Sequence, residues 1–532
     1  MRLNNIVNKA WNKLTSFGSR LVSGGGTALY AISIPLILAG GGRELKAETY
    51  HVPTNFKTIQ AAIDDPNVVD KDIIIAAPGR YVENINFLGK NITLTSTNPN
   101  DPNIIANTIL DGNDVGTVVT FNRGEDPNCV LNGFTITGGY SNGVGGGIHC
   151  SNSSPTIANC IIKDNETTHS RDYSTRPPGV EGGGGGLYCD SSNPTITNCG
   201  FINNSATYMG GGMYNSYSNP KLINCMFNKN FMSYVSGDGG GMNNLEESNP
   251  LLIRCVFNGN SASNGGGMWN ANNSNPVLSN CTFGANSAQN GGGMWNGLNS
   301  PTLTNCRFSG NLAIHSGGGM YNYKAKVIIN HSTFGGDRAY FCGGIVNDYS
   351  NLTLSDCILW ENSDNEGKSE SAQIVPWNNS ILIVNYSCIQ GLTGNLGGIG
   401  NIGDDPCFVD PGYWDPNDTP NDTNDDFWVE GDYHLKSQGW RWNTQREVWT
   451  LDDVTSPCID AGDPMTPIMY EPFPNGGIVN MGAYGGTPYA SKSYFGTPPC
   501  GTIVAGDVNG DCKVDFKDFR LMALHWLDIY SE

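Results

Sequence analysis

The sequence predicts an all-β solenoid, a parallel β-helix, on three observations. Glycine triplets recur at a nearly fixed period, the chain is rich in Gly and poor in charge, and the repeats lack apolar residues at helical spacing. The triplets begin at Gly145, Gly184, Gly210, Gly239, Gly265, Gly291 and Gly317, with a degenerate member at Cys342-Gly343-Gly344. Their spacings are 39, 26, 29, 26, 26, 26 and 25. A constant period of this size marks stacked units that bury a core only against their neighbours. Glycine numbers 70 and charged residues are 15% of the chain, which fits many tight turns and few surface helices.

The first 47 residues read as an export signal. They hold six basic residues and one acid, with an apolar stretch at 27 to 39 and small residues up to Ala47. Thirteen apolar residues are too few to span a bilayer comfortably, so cleavage before Glu48 is expected, leaving no membrane span. The whole chain carries a net charge of -20. Without the leader, 23 basic and 48 acidic residues would remain, a net of -25. That sign, with no Lys/Arg cluster, excludes nucleic acid as a partner, because phosphate backbones are bound by basic patches.

Residues 48 to 400 form the predicted coils. Thr58-Ile59-Gln60-Ala61-Ala62-Ile63 reads as a short helix plugging the open end, which would otherwise expose core and unpaired strand edge. A clear unit runs Asn275-Pro276-Val277-Leu278-Ser279-Asn280-Cys281-Thr282-Phe283, Asn286-Ser287-Ala288, then Gly291-Gly292-Gly293-Met294-Trp295-Asn296. It holds three short strands. Side chains alternate along a strand, so with Met294 inward, Trp295 points out and Asn296 back in.

Stacking these units in register creates ladders. One is apolar and inward: Ile148, Leu187, Met213, Met242, Met268, Met294, Met320, Ile345. A second holds Cys199, Cys225, Cys255, Cys281 and Cys306, flanked by Cys160 and Cys357. In-register thiols run parallel and five cannot pair completely, so they read as buried small hydrophobes. The disulfide candidates lie elsewhere, at Cys407 with Cys458 and Cys500 with Cys512. The third ladder, His149, Tyr188, Tyr214, Asn243, Trp269, Trp295, Tyr321 and Val346, is expected on the surface. Its rings are suited either to stacking on sugar faces or partner groups, or to stacking on one another.

Charged candidates are few. Between Leu187 and Gly336 the acids are Asp190, Asp238, Glu246 and Glu247. Asp190 and Glu246 follow the aromatic position two coils apart, within reach of one ligand or as unrelated surface acids. The 39-residue unit carries an insertion from Thr168 to Gly183 with Arg171, Asp172, Arg176 and Glu181. Long loops on rigid scaffolds are where binding chemistry concentrates, so this is the preferred site for any catalysis.

Residues 401 to 495 change character. An acidic, Pro-rich stretch is followed by Ser456-Pro457-Cys458-Ile459-Asp460-Ala461-Gly462 and Asn480-Met481-Gly482-Ala483-Tyr484-Gly485-Gly486, read as a C-terminal cap. Residues 496 to 532 end in the most specific motif. Oxygen side chains stand at loop positions 1, 3, 5, 9 and 12 (Asp507, Asn509, Asp511, Asp515, Asp518), and Lys513 at position 7 offers its backbone carbonyl. A turn so arranged wraps a hard cation, here calcium.

These residues resemble known families. The Asn-Ser-Ala and Gly-Gly-Gly-Met-Trp-Asn elements resemble repeats of the polymorphic-outer-membrane-protein type, in secreted right-handed parallel β-helix proteins with a pectin-lyase-like fold. The entry coil, with Gly79-Arg80-Tyr81-Val82-Glu83-Asn84 and Gly89-Lys90-Asn91-Ile92-Thr93-Leu94, resembles that of pectinesterase-like β-helices. The last segment resembles a dockerin calcium loop and its helix. A dockerin has two such segments and this chain shows one, which puts cohesin binding in doubt and leaves a sorting or attachment tail open. The motifs of polygalacturonase-like hydrolases and the pectinesterase Asp-Phe-Ile-Phe-Gly are absent. The sequence therefore favours an extracellular or cell-surface protein that binds polysaccharide or a surface component. The alternative is a polysaccharide lyase or glycoside hydrolase acting on acidic polysaccharide.

Overall fold

The computed structural model describes residues 47 to 168, 182 to 418, 425 to 496 and 513 to 526. Three long parallel sheets, of 13, 12 and 11 strands, run the length of the coils, and each coil contributes one strand to each in turn. This is the predicted parallel β-helix. Shorter sheets of four and three strands form a fourth side on part of it. The expected leader, residues 1 to 47, lies outside the described residues except for Ala47.

At the entry, the helix Ile59–Asp64 is capped by Thr58, whose side chain accepts the Ala61 N–H at 3.1 Å. Glu83 accepts the N–H groups of Ile59 and Gln60 at 3.0 and 2.8 Å, satisfying two more of the donors that a helix start leaves unpaired. Ile59, Ala62 and Ile63 are buried against the first coil, as a plug requires.

The ladders follow the expected alternation. Met213, Met242, Met268, Met294 and Met320 are fully buried, as are the seven ladder cysteines. Asn215, Asn244, Asn270, Asn296 and Asn322 turn back inside, each donating from Nδ2 to the next Oδ1 at 2.8 to 2.9 Å until the last step, to Asn347, at 3.5 Å. Two further ladders went unread in the sequence. Phe201, Phe227, Phe257, Phe283, Phe308 and Phe334 stack face to face at 4.5 to 4.7 Å and within 4° of parallel. Three residues on, Asn204, Asn230, Asn260, Asn286 and Asn311 form a buried amide chain. Asn260 is typical: its N–H and Nδ2 both donate to Asn286 Oδ1, at 3.0 and 2.9 Å, and Nδ2 also donates to Phe227 O at 3.0 Å. The Cys-x-Phe-x-x-Asn spacing that produces both ladders is present in every clear unit.

The glycine triplets have a steric cause. Gly291 adopts φ 61°, and a Cβ on Gly292 would lie 2.6 Å from the backbone oxygens of Gly318 and Leu312. No side chain fits where the coil turns against its neighbour. In the degenerate triplet Cys342 takes the left-handed conformation itself, at φ 50°.

The described residues between 401 and 495 form three antiparallel strand pairs and long irregular segments. They pack along the outer face of the last strands of the 12-stranded sheet, not only over the end. Trp428 lies on Gly310 and Gly336, where an added Cβ would come 2.0 and 2.1 Å from its ring atoms, and Trp414 Nε1 donates to Gly336 O at 2.8 Å. Glu430 accepts from Ser309 at 2.9 Å and pairs with Arg307 at 3.2 Å.

Candidate functional site

The expected outward ladder lies on the 11-stranded sheet in the expected register: His149, Tyr188, Tyr214, Asn243, Trp269, Trp295, Tyr321 and Val346 are consecutive partners. Its exposure is lower than expected. Tyr214, Asn243 and Val346 are buried and the other members half-buried. The cause is the coil spacing of about 4.8 Å, which sets in-register rings against one another. Centroids of His149 and Tyr188 are 5.4 Å apart, of Tyr188 and Tyr214 5.1 Å, and of Trp269 and Trp295 5.3 Å at 10°. Asn243, whose Nδ2 donates to Asp238 O at 3.1 Å, interrupts the row and divides it into two stacks.

A cluster of exposed rings stands at the far end. Tyr340 and Phe341 are 54% and 53% exposed and meet edge to face at 4.6 Å. Trp377 joins them to the ladder, 6.1 Å from Phe341 and 6.4 Å from Tyr321. The Tyr321 hydroxyl donates to Asp348 Oδ2 at 3.1 Å, and Asn378 Nδ2 donates to Asp348 Oδ1 at 2.7 Å. This part of the site had no sequence signal beyond Tyr321, because Tyr340, Phe341 and Trp377 fall outside the repeat's aromatic position.

Asp190 and Glu246 do converge on one place. Asp190 ends its strand opposite Ser216, whose next partner Leu245 precedes Glu246. Glu246 hydrogen-bonds the Tyr217 side chain, which raises that hydroxyl's pKa, and the Asp190 charge adds to the shift. Burial chiefly, then the neighbouring Tyr214 and Asp190, push Tyr188 up as well. At the other end of these strands stands Asp238, just before its glycine triplet. Burial raises its carboxyl to about 6, opposed by the Asn264 amide, which donates to Oδ1 at 2.9 Å. The sequence showed Asp238 as one of few acids but gave no reason to single it out; its position in the stacked row Met209, Asp238, Asn264 is that reason.

Arg171 and Arg176 lie outside the described residues, in the insertion. The insertion's far root is described: Gly183 abuts Tyr214, where an added Cβ would be 2.7 Å from Cδ1, and Tyr208 N–H donates to Gly182 O at 3.0 Å. The loop therefore rejoins the coil at the tyrosine stack and next to the row that holds Asp238.

In the calcium motif, Asp507, Asn509 and Asp511 also lie outside the described residues, while Lys513, Asp515 and Asp518 lie within them. Asp515 Oδ1 accepts the Lys517 N–H and Asp518 Oδ2 accepts the Asp515 N–H, each at 2.7 Å, at the start of the helix Phe516–Trp526. The two carboxylates are thus held on one turn, and hard oxygen donors of this kind suit calcium.

Fold and surface together define a class: an all-β parallel β-helix carrying an aromatic band along one sheet. No family model matches the chain. It is 30% identical over 139 residues to the cell surface glycoprotein of Methanothermus fervidus, a match covering 26% of this chain and 20% of that protein. The chain thus spans about a fifth of that relative's length. Among solved structures it is similar to pectate lyase Pel9A, at 14% identity and a TM-score of 0.41 over 82% of this chain and 96% of that one. It is also similar to a mannuronic acid specific polysaccharide family 6 lyase from human gut microbiota, at 12% identity and a TM-score of 0.35 over 67% and 83%. Among the described residues no helix is long and apolar enough to cross a membrane.

Proposed function

We propose that the chain is an extracellular or cell-surface β-helix protein that binds polysaccharide along its aromatic band and is attached through a calcium-binding, dockerin-like tail. The observation that carries this reading is the band itself, half-buried rings ending in the exposed pair Tyr340 and Phe341, with Asp348 and Asn378 bonded next to Tyr321. Aromatic faces meet the apolar faces of sugar rings, and flanking carboxylates and amides accept or donate to hydroxyls. The likeness to a cell surface glycoprotein supports the location. A cohesin-like or sorting partner for the tail belongs to the same reading.

A second reading, lyase or hydrolase action on uronate-containing polysaccharide, draws on Asp238. A carboxyl with a pKa of about 6 can give or take a proton near neutral pH, and it sits by the root of the inserted loop. Incubating the purified chain with acidic and neutral polysaccharides, with and without calcium, separates the two. Retention on the polymer without cleavage supports binding; release of reducing ends or unsaturated uronides refutes it in favour of the enzyme.

A further inference from the structure

Cys388 departs from the cysteine ladder. In each coil the ladder position immediately precedes the strand of the 12-stranded sheet, as Cys306 precedes Arg307 and Cys357 precedes Ile358. In the last coil Ser387 takes that position, accepting the Cys357 N–H at 3.2 Å. Cys388 is one residue further on, paired with Ile358, so it faces out of the coil instead of in. There it belongs to a second buried cluster with Ile358, Phe408, Tyr433, Cys458 and Met481, formed between the last coils and residues 401 to 495. Cys458 enters from the opposite wall. Both thiols are fully buried and adjacent in this cluster, where Cys388 Sγ also donates to Asp404 O at 3.2 Å. Ladder thiols also touch in register, but Cys281, for example, has Cys255 on one side and Cys306 on the other, so the row cannot pair completely, whereas Cys388 meets a thiol from a separate segment. The sequence paired Cys458 with Cys407 instead. Cys407 is half-buried, and its Sγ is turned to Asp405 O at 3.4 Å.

We propose that Cys388 and Cys458 are joined by a disulfide in the exported protein, fastening the last coil to the C-terminal region. The thiolate of one cysteine attacks an external disulfide such as oxidised glutathione, forming a mixed disulfide and releasing one glutathione thiol. The second cysteine's thiolate then displaces the other glutathione. Two protein thiols lose two electrons and two protons, and one glutathione disulfide becomes two thiols. The bond closes a loop of about 70 residues and so constrains the unfolded chain. It also ties in a region otherwise joined to the coils by side-chain contacts and a few backbone bonds, such as Gly482 N–H to Asp356 O at 2.7 Å.

The proposal rests on the extracellular reading, and the test separates the two. The full chain, purified reduced, is equilibrated in a glutathione redox buffer, blocked with iodoacetamide in denaturant, digested without reduction and analysed by mass spectrometry. The expected result is a peptide pair linking Cys388 to Cys458, retained in the Cys407→Ser variant and lost in Cys388→Ser. In the wild type, reduction should lower Tm by about 5 °C, a shift that Cys388→Ser abolishes. Alkylated Cys388 in the oxidised wild type, or a link from Cys407 to Cys458, overturns the proposal. Should Cys388→Ser fail to fold, the linked peptide in the wild type decides alone. A link in the redox buffer with free thiols in protein recovered from cells supports the pairing and refutes export.

Discussion

Replacing Asp337 by Asn should stabilise the protein at neutral pH. Asp337 occupies an asparagine position in the buried amide ladder. Its Oδ1 does what an amide oxygen would do, accepting the Asn311 N–H at 2.7 Å and Asn311 Nδ2 at 2.8 Å, and its own N–H donates to Asn362 Oδ1 at 3.0 Å. Its Oδ2 is buried with no partner, at the place where every neighbour in the ladder has an NH2. By the register, that group faces two acceptors: Asn362 Oδ1, and Phe308 O in the position that Phe283 O holds for Asn311. Burial drives the carboxyl well above its ordinary range, so the folded state prefers the protonated acid. The folded form then binds more protons than the unfolded one. Stability is therefore greatest below the unfolded pKa near 3.9 and falls as pH rises toward the folded pKa, at up to about 1.4 kcal/mol per pH unit. An amide restores a donor to an unsatisfied position and does not titrate, so Asp337→Asn should gain about 1–3 kcal/mol at pH 8. Urea denaturation of both proteins from pH 4 to 8 measures this. The reasoning fails if wild type is at least as stable as the variant at pH 8, or if the difference is the same at every pH.

Phe283→Ala should lose about 3–5 kcal/mol in the same assay, because it opens a cavity in an unbroken ring stack. Gly292→Ala should cost about 1–3 kcal/mol, since its methyl group meets backbone oxygens that cannot turn away. Trp269→Ala with Trp295→Ala, and separately Tyr340→Ala with Phe341→Ala, should weaken retention on the polysaccharide bound by wild type; unchanged retention in both would end the role assigned to the band. Calorimetric titration of calcium into the full chain should show one saturable site that Asp515→Ala with Asp518→Ala removes.

What was legible in the sequence is what depends on period and alternation. Met294, Trp295 and Asn296 took their expected directions because successive side chains on a strand must point to opposite faces. The exposure of Trp295 was misjudged because it depends on the neighbouring coil: rings about 4.8 Å apart along a sheet cover one another. Tyr340, Phe341 and Trp377 join Tyr321 only through the register of separate strands, which no local motif announces. The side-on packing of residues 401 to 495 likewise needs Gly310 and Gly336 to meet Trp428 from more than 90 positions away. Cys388 went unread for a related reason. A shift of one residue reverses the face of a strand residue, and only the position of Ser387 in the ladder reveals the shift.

The nearest-neighbour pairing of the coils makes length an adjustable quantity. Removing residues 265 to 290, one whole period, would bring Met242 opposite Met294, Phe257 opposite Phe308 and Asn260 opposite Asn311, preserving these three inner ladders. Thirteen strands at about 4.8 Å give a rod of about 60 Å, graduated in steps of one coil. A gene encoding such a rod can lengthen or shorten it by in-frame duplication or loss without redesigning a core. The distance the protein spans can thus change independently of the stability of any single coil.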